Sequence, residues 1–363
     1  MTDLSKKEQL YELIRANPFI AQTELAAVLN LSRSAVAGYI ASLVRERRLL
    51  GRAYVLPDAR PILCIGAANL DRKLRASNPL AMGSSNPASA VESFGGVARN
   101  IAENLARMGA AVGLITAVGK DSSGSALLAH ADAAGIDTRG ALKLDDAASG
   151  TYTAVLDHDG QMVVALADMA LYDRITPDFL ALRQQQRATA SLIVADLNLG
   201  VEAVETLRLD AARDGVMLVI VAVSEPKMNR LPASLQGVRL LILNRGELGA
   251  RLGRGLNGDD ELAAACREVQ AQGVQDVVVT LGPRGVLFTT PNGVERLDAP
   301  PANVVDVTGA GDAFAAAVVL SLQGGGADLA LACRRGLQLA TLTIECRETV
   351  CPQLAPDTFG SLN

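Results

Sequence analysis

The sequence predicts an α/β protein in two parts: a small helical module at the N-terminus and a large body built on a mostly parallel sheet covered on both faces. Three observations carry that expectation. Apolar residues make up 49% of the 363 and aromatic residues only 3%, a composition that suits alternating strands and helices better than an aromatic-rich sandwich. From residue 61 onward, short apolar runs recur, β-branched in most cases, as in strands buried on both faces. The charge is also uneven. Residues 1–60 hold nine Lys and Arg against six Asp and Glu, whereas the remainder holds 25 against 33, so two modules with different partners are expected.

Taken in order, residues 5–16 place Leu10, Leu13 and Ile14 at helical spacing, and Asn17-Pro18 ends that helix because the residue before a proline avoids the α region. Residues 23–29 form a second helix, Asn30-Leu31-Ser32 a turn, and residues 33–47 a third helix with Val36, Ile40, Leu43 and Val44 on one face. That rhythm is helix-turn-helix. Residues 49–56 resemble the β-wing of bacterial winged-helix regulators, which sets a winged helix-turn-helix domain over 1–56, a linker over 57–61 and the body over 62–363. In the body, residues 62–65, 112–118, 192–195, 217–223, 240–243 and 277–281 read as buried strands separated by helices. Residues 151–156 and 161–166 flank Asp157-His158-Asp159-Gly160, a hairpin expected to leave the main sheet as a lid. Gly324-Gly325-Gly326 is a turn after a helix over 313–323.

Several classes are excluded. Cys64, Cys266, Cys333, Cys346 and Cys351 form no C-x-x-C pair, and His130 and His158 are too few to complete a structural zinc site. Charges at Lys6, Lys7, Glu8, Glu12 and Arg15 interrupt any signal-like run, and no stretch is long and apolar enough to span a membrane, so a cytosolic protein with reduced thiols is expected. Gly119-Lys120-Asp121 lacks the spacing and the Ser or Thr of a P-loop.

The chemistry concentrates in Asp306-Val307-Thr308-Gly309-Ala310-Gly311-Asp312-Ala313-Phe314. Small residues at 309–311 let backbone amides approach an anion at the start of a helix. Asp312, in the first turn, can take a proton from a hydroxyl while those amides stabilise a transferring phosphoryl group. The same residues would also serve as a Gly-rich turn with an Asp cap.

This segment resembles the C-terminal signature of the ribokinase-like (PfkB) sugar and nucleoside kinases, and Phe94-Gly95-Gly96-Val97-Ala98-Arg99-Asn100-Ile101-Ala102 is similar to their N-terminal signature, about 210 residues earlier. The resemblance runs from about Pro61 to the C-terminus. It implies a three-layer α/β/α sandwich with a small β-sheet lid drawn from about 72–94 and 149–168, and an ATP-dependent kinase. It implies Asp312 as catalytic base with Gly309, Ala310 and Gly311 as anion hole, Asn69 and Asp71 on the sugar hydroxyls, and Gly95, Gly96 and Asn100 as the facing wall. On the nucleotide side it implies Asn244 and Glu247 around water-bound Mg²⁺, and Thr280, Gly282 and Gly285 along ATP. Asp306 and Thr308 resemble ligands of a monovalent cation such as K⁺. Dimers through the lid are common among similar kinases.

Within the family the resemblance is strongest to pseudouridine kinases, on Ser77-Asn78-Pro79, the segment 95–106 and Val194-Ala195-Asp196-Leu197-Asn198. The implied acceptor is then a ribonucleoside 5′-hydroxyl, with Asp168 and Asn198 contacting base or sugar, or else forming only a lid edge and a capped strand end. Val221-Ala222-Val223-Ser224 departs from the Asp-Pro-Val-Ser of that subgroup, which keeps uridine, another ribonucleoside and ribose open as substrates. Arg33, Arg45, Arg47, Arg48 and Arg52 supply cations for DNA phosphates, so a bifunctional protein or a ligand-sensing regulator is the reading from another class.

Overall fold

The structure, a computed structural model, describes residues 5–17, 20–50, 60–323 and 328–362. It divides into two compact units, Met1–Arg60 and Pro61–Asn363. Most of the wing expected over 49–56, most of the linker expected over 57–61 and the Gly324-Gly325-Gly326 turn lie outside the described residues.

The first unit holds helices α1 (Lys6–Ala16), α2 (Gln22–Leu29) and α3 (Arg33–Arg45). Ser5 and Ser32 cap α1 and α3 through their hydroxyls, which accept the Glu8 and Ala35 amides at 3.3 and 3.1 Å, as N-cap residues do. Asn30 ends α2 in the left-handed region, and α2 and α3 bend by 107°, the helix-turn-helix angle. Leu10, Ile14, Leu25, Leu29, Val36, Ile40 and Leu43 form the core. Val44, expected on that face, is exposed. The third helix stops at Arg45 rather than 47 because Arg47 takes a positive φ of 59°.

The second unit runs β1 (Ile62–Ile65), β2 (Asn69–Ala76), β3 (Ala88–Gly95), α4 (Val97–Arg107), β4 (Val112–Ile115), β5 (Ala117–Gly119), α5 (Ser122–Ala133), β6 (Ile136–Asp137), β7 (Leu142–Leu144), β8 (Thr151–Leu156), β9 (Met162–Asp168), α6 (Pro177–Ala181), α7 (Gln184–Thr189) and β10 (Leu192–Asp196). It continues through α8 (Val201–Asp214), β11 (Met217–Val221), β12 (Leu240–Asn244), α9 (Arg245–Leu252), α10 (Asp259–Gln270), β13 (Asp276–Thr280), β14 (Val286–Thr290), β15 (Gly293–Leu297), α11 (Ala310–Gln323), α12 (Leu329–Ile344) and α13 (Pro356–Ser361). The main sheet has the order β15-β14-β13-β12-β11-β10-β1-β4-β6, parallel from β13 to β6, with β14 and β15 added antiparallel at one edge.

The strands separate two cores residue by residue. Ile62, Cys64, Leu192, Val194, Leu240 and Ile242 pack toward α4, α11 and α12. Leu63, Ile65, Ile193, Ala195, Leu241 and Leu243 pack toward α8, α9 and α10. This is the three-layer α/β/α sandwich, with period-two alternation that a two-sided burial hides in the sequence.

β8 and β9 leave the main sheet and join β2 and β3 in a four-stranded lid of order β3-β2-β8-β9. The expected single strand over 112–118 breaks at Thr116. Its first part stays in the main sheet and its second pairs with β7 in a separate two-stranded sheet, where Thr116 O accepts the Leu142 amide at 2.8 Å.

Candidate active site

Parallel strands direct their carboxyl ends to one edge, and β1 lies where the strand order reverses, with β4 on one side and β10 on the other. Crevices at such points are where open α/β sheets bind ligands. The loop after β1, the end of β10 and the start of α4 meet there on Asp196. Its wholly buried carboxylate accepts the amides of Ala67 (2.9 Å), Ala98 (3.0 Å) and Asn198 (2.8 Å). Burial pushes its pKa up against the pull of these donors. Gly96 makes the tight entry into α4. It has φ 98°, and a side chain there would overlap the Ala67 carbonyl, so only glycine serves.

The strand β2 begins at Asn69, whose amide donates to Asp71 Oδ1 at 2.6 Å. Gly95 lies opposite Asn69 across the β2–β3 pairing, and the Asp71 carboxylate leans over it so that a Cβ at Gly95 would collide with it. Desolvation raises the Asp71 pKa. Two adjacent groups able to receive and donate to vicinal hydroxyls thus stand at the base of the lid.

Asp312 approaches from α11. The helix starts at Ala310, so its first-turn amides, Gly311 and Asp312 among them, have no intrahelical acceptor. The Ala310 amide turns back to Val307 O at 3.3 Å. Gly309, at φ 83°, packs so closely on Thr349 O that a side chain would overlap it. Asn100 Nδ2 donates to Asp312 Oδ2 at 2.6 Å. Which way that amide points is fixed by Arg99, whose guanidinium donates to Asn100 Oδ1 and to Phe94 O (2.7 Å) and pairs with buried Glu103. Burial, with the nearby charges of Asp196 and Asp71, pushes the Asp312 pKa up to about 7 against the Asn100 bond and Arg99.

At the carboxyl end of β12, where the family resemblance expects the nucleotide, Asn244 and Glu247 form a reciprocal cap on α9. Asn244 Oδ1 accepts the Glu247 amide at 2.9 Å, and Glu247 Oε2 accepts the Asn244 amide at 2.7 Å. Asn244 pairs in register with Thr280, and a cavity of about 450 Å³ opens between them, lined by Arg245, Gly246, Gly282 and Arg284 as well. Gly282 and Gly285 belong to the turn joining β13 to β14, closed by Leu281 N donating to Gly285 O at 2.8 Å. Glu225 packs against Gly246 and its charge, after burial, raises Glu247. This all-oxygen set suits a divalent ion that keeps its waters. β12 is two strands from β10, roughly 10 Å along the sheet.

Other expected residues are placed differently. The register puts Asp168 opposite Thr151 and Leu70, on the lid face away from Asp71, and it is exposed. Asn198 is buried and spent: Lys227 Nζ donates to its Oδ1 and Arg230 to its carbonyl at 2.7 Å. Asp306 and Thr308 lie together, but with Lys73 between them and the lid. Asp196, Lys73 and Tyr172 were not singled out in the sequence. Tyr172, fully buried, donates to Ala68 O at 2.5 Å and holds the loop after β1. An acid closing the apolar run 192–195 was the available signal for Asp196; Lys73 repeats the Asp71 face two residues on.

A carboxylate at a helix start and a cation-lined cavity along the same sheet edge define a phosphotransferase of ribokinase-like architecture. Residues 59–354 match the pfkB family carbohydrate kinases, and residues 5–47 the winged helix-turn-helix DNA-binding family. The chain belongs to the pfkB family and is an ATP-dependent sugar or nucleoside kinase. It is 32% identical to the uncharacterized sugar kinase YeiI of Escherichia coli (strain K12), over 87% of each chain. It is 31% identical to the pseudouridine kinase of the same organism, covering 81% of this chain and 93% of that one. A carbohydrate kinase from Agrobacterium tumefaciens superposes with a TM-score of 0.73 at 30% identity, covering 84% of this chain and 97% of that one.

Proposed function

We propose that the chain transfers the γ-phosphoryl group of ATP to the 5′-hydroxyl of a ribonucleoside, pseudouridine before others. The observation that carries the reading is the Asn100–Asp312 bond, which sets a base of raised pKa beside the Asn69–Asp71 pair. Asn69 and Asp71 hold the ribose hydroxyls and Asp312 takes the 5′-hydroxyl proton. The freed oxygen attacks the γ-phosphorus, and the bond to the β-phosphate oxygen breaks to release ADP. First-turn amides of α11 face the charge on the transferring group. Arg245 and Arg284 serve the nucleotide phosphates. Mg²⁺, held through water by Glu247, Glu225 and Asn244, would supply charge neutralisation between the phosphates. Likeness to the pseudouridine kinase supports the choice of nucleoside. A screen of ATP consumption against pseudouridine, uridine, other ribonucleosides and ribose tests it: kcat/KM should be highest for pseudouridine, and a preference for ribose would contradict it.

A second reading rests on the helical unit, for which DNA binding is proposed. The outward side of α3 carries Arg33, Ser34, Ala37, Gly38, Ala41 and Arg45, short side chains suited to close approach with two cations for phosphates. Arg48, a sequence candidate for such contact, is instead paired with Glu8 at 2.5 Å and stacked over Tyr11. A gel shift with the promoter of its own operon at physiological salt is expected to show a complex that Arg33→Glu abolishes; no specific shift with the unaltered protein would reject the reading.

The lid supports a homodimer. β9 is an edge strand on which Met162, Val163, Val164 and Leu166 are exposed, and unpaired apolar edges invite pairing. Light scattering should give twice the chain mass, and the monomer mass for Leu166→Asp; a monomeric unaltered chain refutes this.

A further inference from the structure

The geometry points to Lys73 as the built-in cation of the phosphoryl-binding loop, standing where Asp306 and Thr308 would otherwise hold a monovalent metal ion. The inference rests on residues 309–312 being the phosphoryl site. Lys73 Nζ donates to Asp306 Oδ2 at 2.7 Å and lies 3.4 Å from Thr308 Oγ1. Asp306 Oδ1 accepts both the Thr308 amide (2.9 Å) and the Thr308 hydroxyl (2.6 Å). Both carboxylate oxygens are therefore engaged, and the one Thr308 proton is directed to Asp306, which leaves the hydroxyl lone pairs toward the ammonium.

Two neighbouring oxygens are engaged as well. Ile344 O accepts the amides of Val305 (2.8 Å) and Asp306 (3.2 Å), which uses both lone pairs, and Asn303 N donates to Glu345 Oε1 at 2.9 Å. A bare monovalent ion needs several free oxygens at once, and while Lys73 holds Asp306 Oδ2 and the Thr308 hydroxyl this set does not offer them. An ammonium needs only acceptors placed around one nitrogen, and it is close in size to K⁺. With Lys73 in place the residues fit the ammonium and not the metal; its removal frees Asp306 Oδ2 and the Thr308 lone pairs.

The placement has a consequence for the site. Lys73 follows Asp71 by two residues on β2, so both side chains leave the same face of the lid. One strand thus carries a ligand for the acceptor hydroxyl and the cation that orders the loop leading into Gly309 and Asp312. Lys73 acts through Asp306 and is a positioning residue. In kinases that recruit a metal at such a loop, activity follows the ion concentration; here the cation is covalently supplied.

The test uses the full chain, with ionic strength held constant by tetramethylammonium chloride, an ion too large for the site. The unaltered enzyme should change its rate by less than about twofold when K⁺, Na⁺ or NH₄⁺ replaces tetramethylammonium. Lys73→Met, which keeps the side-chain stem, should lose about tenfold or more in kcat and regain most of it, saturably, in K⁺ or NH₄⁺. Its melting temperature should also rise in K⁺ by roughly 2 °C, while that of the unaltered chain does not move. Strong activation of the unaltered enzyme by K⁺ would overturn the inference, as would a Lys73→Met enzyme that is fully active in tetramethylammonium or is inactive in every cation. The melting measurement needs no acceptor, so a wrong choice of nucleoside would leave it intact.

Discussion

Replacing Asp312 by asparagine should lower kcat by about a hundredfold or more, with KM for ATP and acceptor changed by less than about threefold. A hundredfold corresponds to about 2.7 kcal/mol of transition-state stabilisation. Asparagine keeps the volume and the oxygen that accepts from Asn100, whose donation at 2.6 Å fixes the group. It removes only the ability to take a proton. The pH profile gives a second handle, because Asp312 works deprotonated and its pKa is pushed up to about 7 by burial first and by Asp196 and Asp71 after it. The acid limb of kcat/KM should bend near pH 7 with unit slope. Since the folded-state pKa lies above the unfolded value of about 3.9, the folded chain gains stability from this group below pH about 4 and loses it as pH rises to about 7. Asp312→Asn should therefore melt higher than the unaltered enzyme at pH 8 while being far less active. A rate near normal would remove Asp312 from the role of base.

The second large effect is expected at Asp196, through structure rather than proton transfer. Its carboxylate is shared by three buried backbone amides from the β1 loop, the start of α4 and the β10 loop. Alanine leaves all three without an acceptor, at about 1–3 kcal/mol each. Partial relaxation brings the expected loss to about 3–5 kcal/mol, a fall in Tm of roughly 5–10 °C. Asparagine retains one oxygen, which can serve Ala67 and Ala98, while its amide faces the Asn198 N–H, so Asp196→Asn should be the milder change. Because α4 carries Asn100, both variants should lose activity even below their melting temperatures. Thermal melts beside kcat/KM check this, and an Asp196→Ala chain as stable as the unaltered one would show that the amides find other partners.

Much of the architecture was legible because burial on both faces writes itself as unbroken apolar runs. The segments 62–65, 192–195 and 240–243 became β1, β10 and β12 within a residue. The break at Thr116 was not legible, since a lone β-branched threonine between Ile115 and Ala117 is compatible with a continuous strand and only pairing with β7 ends the strand in space. Of the candidate site residues, Asp312 was singled out by its Gly-rich loop and Asn100, Asn69 and Asp71 by the family resemblance, and the structure brings Asn100 to Asp312 and Asn69 to Asp71. Asn198 and Asp168 were harder. Whether a polar side chain at a strand end is open or already bonded depends on Lys227 and Arg230, some thirty residues on, and the face that Asp168 takes depends on register. Lys73 escaped notice for the same reason: its partner is more than two hundred residues away in sequence.

The most direct measurement is phosphorus and proton NMR of the product made from pseudouridine, ATP and Mg²⁺. Transfer from Asp312 to the γ-phosphate through a bound 5′-hydroxyl predicts one phosphomonoester coupled to the two 5′ protons, formed in equal amount with ADP. Phosphate on another hydroxyl, or ADP released with inorganic phosphate and no ester on any ribosyl acceptor, would contradict it.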